Sequence, residues 1–364
     1  LDALLLLQVT FTDASMTVEL ARAVEAPLSI WAFPEPRSGG RLRLNSFCGL
    51  NLALHALGRA DKTAAYLYRT PQSPHIAEAL SALLSGDTVT PPLAGPAATS
   101  TAADQKLAEA TLESLKGRKI GLVGEHPAGF DTCRYDRHAM QQLIGMSVEA
   151  ITLDELFMRA KKAPKETVEK LRRDVGVSLK GVDEIDQVQL NRSLSVFDAL
   201  RSLAQDKQCC AMAVRCWPEM FTEYGCAACG PMAMLNGAQI PAACEADVYG
   251  AMTALLLQEI AGESSWLADI VDMDAASNTG VLWHCGLAPL STCDPLFRPE
   301  AQIHTNRRMP LLHQFPLKPG RITLARISQA RNTTTMIVGG GDVERAPMSF
   351  TGSSATVRLD GGTG

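Results

Sequence analysis

Two glutamates in one stretch of the sequence have the surroundings of catalytic or metal-binding carboxylates. Glu219 follows Pro218, and because proline tends to end a strand, this glutamate is expected just past the predicted strand 211–216. Ligands bind at that carboxyl edge of an open α/β sheet. Glu245 directly precedes an apolar helical pattern, and the N–H groups at a helix start favour a carboxylate. Both glutamates are therefore candidate site residues.

A divalent cation would explain the carboxylate at the second position. Asp247 lies two residues after Glu245, and close negative charges repel each other unless a cation compensates them. Carboxylate oxygens suit Mn²⁺ or Mg²⁺, and a carboxylate beside such an ion can also carry a proton. Spacing alone leaves a simpler interpretation open, in which Glu219 is a loop residue and Glu245 is a charge at a helix start.

Composition restricts the class of protein. The 364 residues, 46% of them apolar and 20% charged, predict a folded globular chain with room for two or three cores. A net charge of −5 lacks the basic excess that nucleic acid binding requires, so nucleic acid is not an expected partner. Ten cysteines without an export signal predict reduced thiols and a cytoplasmic location.

The apolar start of the sequence predicts a strand. Residues 4–9 are too few to cross a bilayer and lack the basic flank of a signal peptide, so no membrane partner is expected and a buried strand is predicted. The strand begins almost at the first residue without an initiating methionine. Part of the natural N-terminus is therefore expected to precede this sequence.

Hydrophobic periodicity divides the sequence into four parts. Apolar runs and helical patterns alternate before and after a Pro-, Gly- and Ser-rich stretch at 85–103, and short β-rich runs follow residue 290. We predict an N-terminal α/β domain at 1–90, a linker at 91–117, a second α/β domain at 118–290 with both glutamates, and a β-rich domain at 291–364.

Specific elements follow from the same patterns. In the α/β parts, strands are predicted at 4–11, 28–33, 119–123, 148–153 and 211–216, and helices at 16–24, 138–144, 165–174 and 188–204. The helix after Glu245 would bury Val248, Met252, Leu255, Leu256 and Ile260. The C-terminal runs are 321–328, 334–338 and 355–359, with a turn at Gly339–Gly341.

Several segments resemble one enzyme family in wording and in order. The runs CWPE, EYGCAACGPM and ACEADVYGA, between Cys216 and Ala251, are followed by WHCG at Trp283–Gly286. They resemble the C-terminal half of L-fucose isomerase and its relatives and, more distantly, L-arabinose isomerase. Upstream, WAFPEP and GGRLRLNSFCGLN, within Trp31–Asn51, resemble an N-terminal segment of the same superfamily. The similar segments are islands within residues 28–290.

The resemblance implies a fold, an activity and an assembly. The fold would be α/β, with two Rossmann-like domains followed by a C-terminal antiparallel β-barrel-like domain. The activity would be a Mn²⁺-dependent (or Mg²⁺-dependent) interconversion of an aldose and a ketose through an enediolate. Glu219 and Glu245 would be the two acidic metal ligands and would move the proton, in roles left open. The protein would be a homo-oligomer, such as a hexamer, with a sugar substrate bound between subunits.

The third metal ligand of that family is a histidine in a late Gly-x-x-His-His-like segment. No histidine follows His313 here, so either the sequence ends before that segment, which we expect, or another residue completes the site. His284 in WHCG is the strongest alternative as a ligand or substrate contact, although a core role is equally compatible with one histidine. Trp217, Tyr249 and Asn278 are further candidate substrate contacts.

Three weaker signals receive simpler interpretations. Cys226-x-x-Cys229 could form half a zinc or redox site, but no second pair has similar spacing, so buried free thiols are favoured. Gly121–Gly124 lacks the third glycine of a dinucleotide-binding loop. Arg307 lies in a solvated basic pair, with contact to an anionic substituent of a substrate as the alternative.

The sequence therefore favours a metal-dependent ketol isomerase of a sugar or sugar derivative. Two other classes stay open: a non-catalytic sugar-binding protein with two α/β domains around a cleft, and a metal-dependent lyase that uses related enediolate chemistry. The residues do not specify a pentose, hexose, deoxy or sulfonated sugar, because pocket loops set that preference.

Overall fold

A computed structural model describes residues 1–86 and 99–361. The N-terminal part holds a three-stranded parallel sheet in the order β1-β2-β3. Its elements are β1 (Leu4–Gln8), α1 (Ser15–Ala23), β2 (Leu28–Ala32), α2 (Ser46–Arg59), β3 (Ala65–Tyr68) and α3 (Ile76–Ser85). The strands predicted at 4 and 28 and the helix predicted at 16 are confirmed. The first strand is not fully buried, because it is an edge strand and Leu7 is 55% exposed.

The predicted linker lies partly outside the described residues, which omit 87–98. Its later part forms α4 (Ala102–Leu115). The Thr101 side chain accepts from the Asp104 N–H, while the Asp104 carboxylate accepts from the Thr101 N–H. This reciprocal cap fixes the helix start, so a helix occupies 102–115.

The second sheet has four parallel strands in the order β5-β4-β6-β7. The strands are β4 (Lys119–Val123), β5 (Ser147–Ile151), β6 (Cys209–Val214) and β7 (Ala242–Ala243). The helices are α5 (Arg137–Ile144), α6 (Leu153–Lys161), α7 (Lys165–Ser178), α8 (Gln187–Asp206), α9 (Cys229–Gly237) and α10 (Val248–Ala261). The predicted parallel α/β unit is confirmed. The chain reverses direction across the sheet at β4, which opens a crevice at the carboxyl ends of β4 and β6.

The helices cover both faces of this sheet. Leu200 of α8 packs with Met212 in one cluster, and Met252 of α10 packs with Ile120 in another. The predicted buried stripe of α10 is right for Val248, Met252 and Leu255. The predicted stripe is wrong at the end of the helix, because Leu256 is only partly buried and Ile260 is 46% exposed where the helix leaves the sheet.

The C-terminal part forms a seven-stranded sheet. Its strands are β8 (Asp269–Asp274), β9 (Thr279–His284), β10 (Glu300–Gln302), β11 (Leu312–Pro316), β12 (Gly320–Ser328), β13 (Thr335–Glu344) and β14 (Ser353–Leu359). Most neighbours are antiparallel, but β11 and β14 run parallel. The expected barrel-like closure is not seen in the described part of the chain, where the sheet is mixed and open. The strands β8 and β9, which the predicted boundary at 290 assigns to the second domain, join this sheet through β14.

The predicted turn at Gly339–Gly341 is wrong. These glycines lie inside β13, paired with Leu324, Thr323 and Ile322 of β12. A Cβ atom on Gly341 would lie 2.6 Å from the Arg358 carbonyl oxygen, so the neighbouring strand approaches too closely for a side chain. Gly341 therefore serves close strand packing. No helix among the described residues is long and apolar enough to cross a bilayer.

Candidate active site

Glu245 lies in a strained bend between β7 and α10. Glu245 and Ala246 have φ values of 58° and 55°, in the left-handed region that non-glycine residues rarely adopt. The helix is capped by Asp247, whose carboxylate accepts from the Gly250 N–H at 2.8 Å. The capping role is thus filled by another residue. Strain of this kind clusters at functional sites, so the bend favours a site role for Glu245 over a capping role.

Asp247 also has its own counter-charge. Its carboxylate is paired with the partly buried guanidinium of Arg326 on β12, which also donates to the Thr132 carbonyl oxygen. The sequence suggested that a cation relieves repulsion between Asp247 and Glu245. In the structure, an arginine from the C-terminal sheet neutralises Asp247.

The largest effect of a neighbouring charge on Glu245 comes from Asp269. Both carboxyls are surrounded by protein atoms yet keep a partly exposed edge, and neither forms an ion pair with a Lys or Arg of the described chain. Burial, followed by the negative charge of Asp269, raises the pKa of Glu245 to about 8. A hydrogen bond from the Trp217 side chain opposes that increase. Two acidic groups without a basic partner therefore share one poorly solvated region.

His284 lies beside the second carboxyl of this pair. The hairpin of β8 and β9 aligns Asp269 with Trp283, which places the next residue, His284, at the same end. Burial raises the pKa of Asp269, and the charge of His284 opposes the increase. The imidazole is buried, with its Nδ1 atom 3.3 Å from the Cys285 sulfur. The structure thus gathers Glu245, Asp269, His284 and Trp217.

The N-terminal part supplies a wall of this group. The Glu35 carboxylate of WAFPEP accepts the N–H groups of Arg43, Leu44 and Asn45 at 2.5, 2.7 and 3.3 Å. These hydrogen bonds fix the start of α2, where Asn45 has a left-handed φ of 49°. The two N-terminal islands therefore form a single local structure.

Cys48 connects that local structure to the carboxyl pair. Its sulfur donates to the Ile270 carbonyl oxygen at 3.5 Å, next to Asp269 in β8. Burial raises the pKa of the Cys48 thiol, and the charges of Asp269 and Glu245 raise it further. The first turn of α2 is therefore within electrostatic reach of both carboxyls.

Glu219 occupies a different environment from Glu245. Its two carboxylate oxygens accept from Arg215 Nε and Nη2 at 2.7 and 2.8 Å, and this guanidinium holds the pKa of Glu219 below its usual value. Glu219 directly precedes a short π-helix, Met220–Tyr224. Across the described residues, no hydrogen bond or ion pair joins Glu219 to Glu245. The metal-ligand role of Glu219 stays a prediction.

The other predicted substrate contacts separate into two sets. Trp217 and His284 belong to the carboxyl group. Tyr249 is buried, and its hydroxyl accepts from Gln329 Nε2 at 2.9 Å and the Asp136 N–H at 3.2 Å, so the substrate contact predicted for it stays a prediction. Asn278 lies in the turn at the opposite end of the β8–β9 hairpin. Six residues of extended chain place it roughly 20 Å from His284.

A basic segment lies near the carboxyl group. His304 Nδ1 accepts the N–H groups of Asn306 and Arg307, its ring centroid lies 5.2 Å from that of Phe221, and Arg307 Cζ lies 5.8 Å from the Phe221 centroid. Burial lowers the pKa of His304; the charge of Cys229 opposes this, whereas Arg307, His284 and Arg41 reinforce it. These basic groups are therefore close in space. Arg41 and Arg307 are exposed and form no ion pair with described residues.

Sequence reasoning missed Asp269 and His304. Asp269 follows Glu245 by 24 positions, in the run DIVDMD, where acidic residues alternate with apolar ones. The available signal was a strand in which half of the residues are acidic. Nothing in the sequence around His304 marks it, because its neighbours Phe221, Arg41 and His284 come from distant segments.

The site offers two oxygen ligands to a cation. Two carboxyls without a counter-charge form the kind of environment that a divalent ion stabilises. Within the described residues, no three His, Cys, Asp or Glu side chains are arranged to hold a metal ion. An ion held by Glu245 and Asp269 would therefore need further ligands from outside that pair.

Two cavities of the described structure do not coincide with this group. One, of about 450 Å³, lies between α4 and α5 and is lined by Glu109, Gln141, Leu143 and their neighbours. Another lies beside Asp294 and Arg345, which form an ion pair with each other. Neither cavity gathers carboxyls without counter-charges. The chemistry of the carboxyl group, and not cavity size, therefore locates the candidate site.

Comparison with known proteins gives near full-length similarity to sugar isomerases. The chain is 28% identical over 361 residues to a sulfoquinovose isomerase of Alkalicoccus urumqiensis, covering 98% of this chain and 76% of that protein. It is 27% identical over 364 residues to one of Priestia aryabhattai and 26% identical over 360 residues to one of Clostridium sp. (strain MSTE9). These cover 99% and 98% of this chain, and 76% and 75% of those proteins. No family model matches the chain. The similarity supports a sugar isomerase.

Proposed function

We propose that this protein is a divalent-metal-dependent aldose–ketose isomerase that acts on an anionic sugar. The observation that carries the proposal is the Glu245–Asp269 pair, two enclosed carboxyls with no basic counter-charge, beside His284. Similarity to proteins named sulfoquinovose isomerases supports the same class of reaction.

Glu245 and Asp269 would hold the cation, Mn²⁺ or Mg²⁺, through carboxylate oxygens. A bound divalent ion supplies charge stabilisation to the oxygens of an enediolate. His284 is the imidazole nearest to the pair and a candidate further ligand or substrate contact. Glu219 would have to leave its bidentate ion pair with Arg215 to serve as a ligand, which makes Asp269 the better-placed partner.

Glu245 is the group best suited to move the proton. With its pKa raised to about 8, this carboxyl can both release and take up a proton near neutral pH. It would remove the proton from C2 of the aldose and return it to C1, while the hydroxyl proton passes from O2 to O1, which gives the ketose. The Trp217 hydrogen bond stabilises the ionised carboxylate between the two transfers. General acid–base catalysis of this kind contributes about 10²–10⁴ in rate.

Basic side chains near the pair support an anionic substrate. The relatives are named for sulfoquinovose, a hexose that carries a sulfonate group. Arg41, Arg307 and His304 lie together near the carboxyls, and the two arginines have no carboxylate partner in the described chain. An unpaired guanidinium binds the oxygens of an anion through several N–H groups. We assign this basic group to the sulfonate.

The test is conversion of sulfoquinovose by the purified protein in D₂O, before and after metal removal by a chelator. NMR should show the corresponding ketose, with deuterium at C1, and activity should return with Mn²⁺. A sugar-binding protein would give no ketose and no stoichiometric metal. A lyase would give two carbon fragments. Absence of isomerisation with a panel of sulfonated and neutral sugars would reject the proposal.

A further inference from the structure

Four cysteines form a continuous row beside the carboxyl pair. The Cys216 and Cys244 sulfurs are 2.7 Å apart, and those of Cys229 and Cys285 are 3.0 Å apart. A further hydrogen bond connects Cys229 to Cys244. The row then reaches His284, whose Nδ1 atom is 3.3 Å from the Cys285 sulfur. In the sequence these four cysteines appear scattered, and only folding brings them together.

The four residues come from four separate elements. Cys216 follows β6, Cys244 follows β7, Cys229 begins α9 and Cys285 follows β9 of the C-terminal sheet. The pair Cys229–Cys285 therefore connects the second α/β part to the C-terminal sheet. Two members of the row directly adjoin site residues in the chain, since Cys244 precedes Glu245 and Cys285 follows His284.

The sulfurs of Cys229 and Cys285 are close to disulfide bonding distance. They need to approach by only about 1 Å to reach the bond length of about 2.0 Å. Cys285 is partly exposed, so a small oxidant can reach it, whereas Cys229 is buried behind it. Hydrogen bonds from Cys244 and Cys285 hold the pKa of Cys229 well below its usual value, which favours the thiolate that reacts.

Cysteines elsewhere lack this arrangement. Cys210 donates to the Lys119 carbonyl oxygen at 3.2 Å, and Cys293 donates to the Asp294 carbonyl oxygen at 3.3 Å. Both are partly exposed and neither faces another sulfur in the described structure. Cys293 therefore provides a matched control for exposure without a partner thiol.

We propose that Cys229 and Cys285 form a reversible disulfide under oxidising conditions and that this bond switches the active site off. The oxidant would be a low-molecular-weight disulfide. Cys285 loses its proton and its sulfur attacks one sulfur of the oxidant, which forms a mixed disulfide and expels a small thiolate that takes up a proton as one small thiol. The Cys229 thiolate then attacks the Cys285 sulfur and releases the second small thiol. One small disulfide and two protein thiols become two small thiols and one protein disulfide, and a dithiol reverses the change.

The bond would disturb the site through its neighbours. Drawing the two sulfurs together moves the backbone after His284 toward α9 and pulls on the row that includes Cys244. A displacement of about 1 Å at reacting groups can reduce the rate about 10²-fold. The rigid bend at Glu245 and Ala246 transmits such a shift to the carboxylate, since its backbone has little freedom to adapt.

The experiment treats the full chain with hydroxyethyl disulfide and then with dithiothreitol. Peptide mapping without reduction should give a peptide linked through Cys229 and Cys285, and activity should fall at least about tenfold and return with dithiothreitol. Cys229→Ser and Cys285→Ser should each lose the linked peptide and the reversible inhibition. Cys293→Ser should keep both and have unchanged activity before oxidation.

The inhibition rests on the proposed isomerase function, whereas the linked peptide does not. If the reduced protein has no isomerase activity, the Mn²⁺ affinity is measured before and after oxidation in place of the rate. The proposal requires that the affinity falls on oxidation. Failure to find the Cys229–Cys285 peptide, while Cys293 is modified by the same reagent, would overturn the proposal. A linked protein with full activity and full Mn²⁺ affinity would overturn the switch.

Discussion

Glu219 and Glu245 are the same residue type at corresponding edges of one sheet, yet their surroundings have opposite effects. Glu219 sits against a guanidinium that lowers the pKa of its carboxyl. Glu245 sits against another carboxyl and enclosing protein atoms, which raise its pKa to about 8. Glu219 is therefore an ionised carboxylate with its counter-charge in place, whereas Glu245 has no counter-charge among the described residues and holds its proton more tightly.

This difference shows which carboxyls of the described chain lack a counter-charge and can bind a cation or a proton. Partly exposed ion pairs such as Arg215–Glu219 contribute little to stability, typically up to about 1 kcal/mol, and already have their counter-charge. Enclosed carboxyls that repel each other raise the free energy of the folded state until a proton or a metal ion neutralises them. The cost at Glu245 and Asp269 is thus consistent with a function. Four predictions test this comparison, beginning with the largest effect.

Glu245→Gln should reduce isomerase activity by about 10²–10⁴-fold, because it removes the proton-moving group and one metal ligand. Initial rates and Mn²⁺ titration calorimetry provide the measurement. Glu223→Gln, which changes an exposed glutamate in the π-helix after Glu219, is the control and should retain activity. Normal activity and Mn²⁺ affinity in Glu245→Gln would end the proposed role of this residue.

The stability of the metal-free protein should depend on pH through Glu245. The folded-state pKa of about 8 lies above the ordinary value of 4.5, so the folded protein holds a proton that the unfolded chain releases between these values. The free energy of unfolding should therefore fall with rising pH in this window, on the order of 1–3 kcal/mol. Urea unfolding of wild type and Glu245→Gln measures how far their pH dependence of stability differs. That difference should vanish when saturating Mn²⁺ is present.

Two histidines contribute with the opposite sign at lower pH, so the measurement should run from pH 6.5 to 8.5. His55 and His313 have pKa values lowered to about 4 from 6.5, mainly by burial, and their contribution to stability is lost as pH falls from 6.5 toward 4. Above that window both are neutral in either state. Equal pH slopes in wild type and Glu245→Gln would contradict the raised pKa.

Arg307→Gln should weaken binding of a sulfonated sugar while leaving the chemical step intact. Loss of hydrogen bonds to a charged group should raise KM about 10-fold with little change in kcat. Steady-state kinetics with sulfoquinovose and with its neutral analogue, glucose, provide the measurement. The neighbouring Arg308→Gln is the matched control. An equal loss for both sugars would assign Arg307 to structure and not to the anion.

Glu219→Gln should have the smallest effect. Activity should fall less than about 10-fold, stability should drop by no more than about 1 kcal/mol, and Mn²⁺ affinity should not change. Arg215→Gln should show the same loss of stability, because it breaks the same ion pair. If Glu219→Gln instead abolishes Mn²⁺ binding as completely as Glu245→Gln, the pair predicted from the sequence holds and the comparison made above is wrong.

The sequence determined much of the α/β organisation, because periodicity and strand-ending residues act locally. The strands at 4, 28, 119 and 211, the helix after Glu245, and the position of Glu219 beyond β6 all follow from short-range patterns. Local patterns failed at Gly339–Gly341, which lie inside a strand where Val357 and Arg358 on β14 leave no room for a side chain at Gly341.

Only the tertiary structure decided which carboxyls interact. Glu245 meets Asp269 because β8 belongs to the C-terminal sheet and returns to the edge of the parallel sheet, and Arg326 from β12 takes the charge of Asp247. The same folding aligns four scattered cysteines. The sequence specifies which groups can ionise or react, but their pKa values and partners depend on burial and on distances of a few ångströms between residues far apart in the chain.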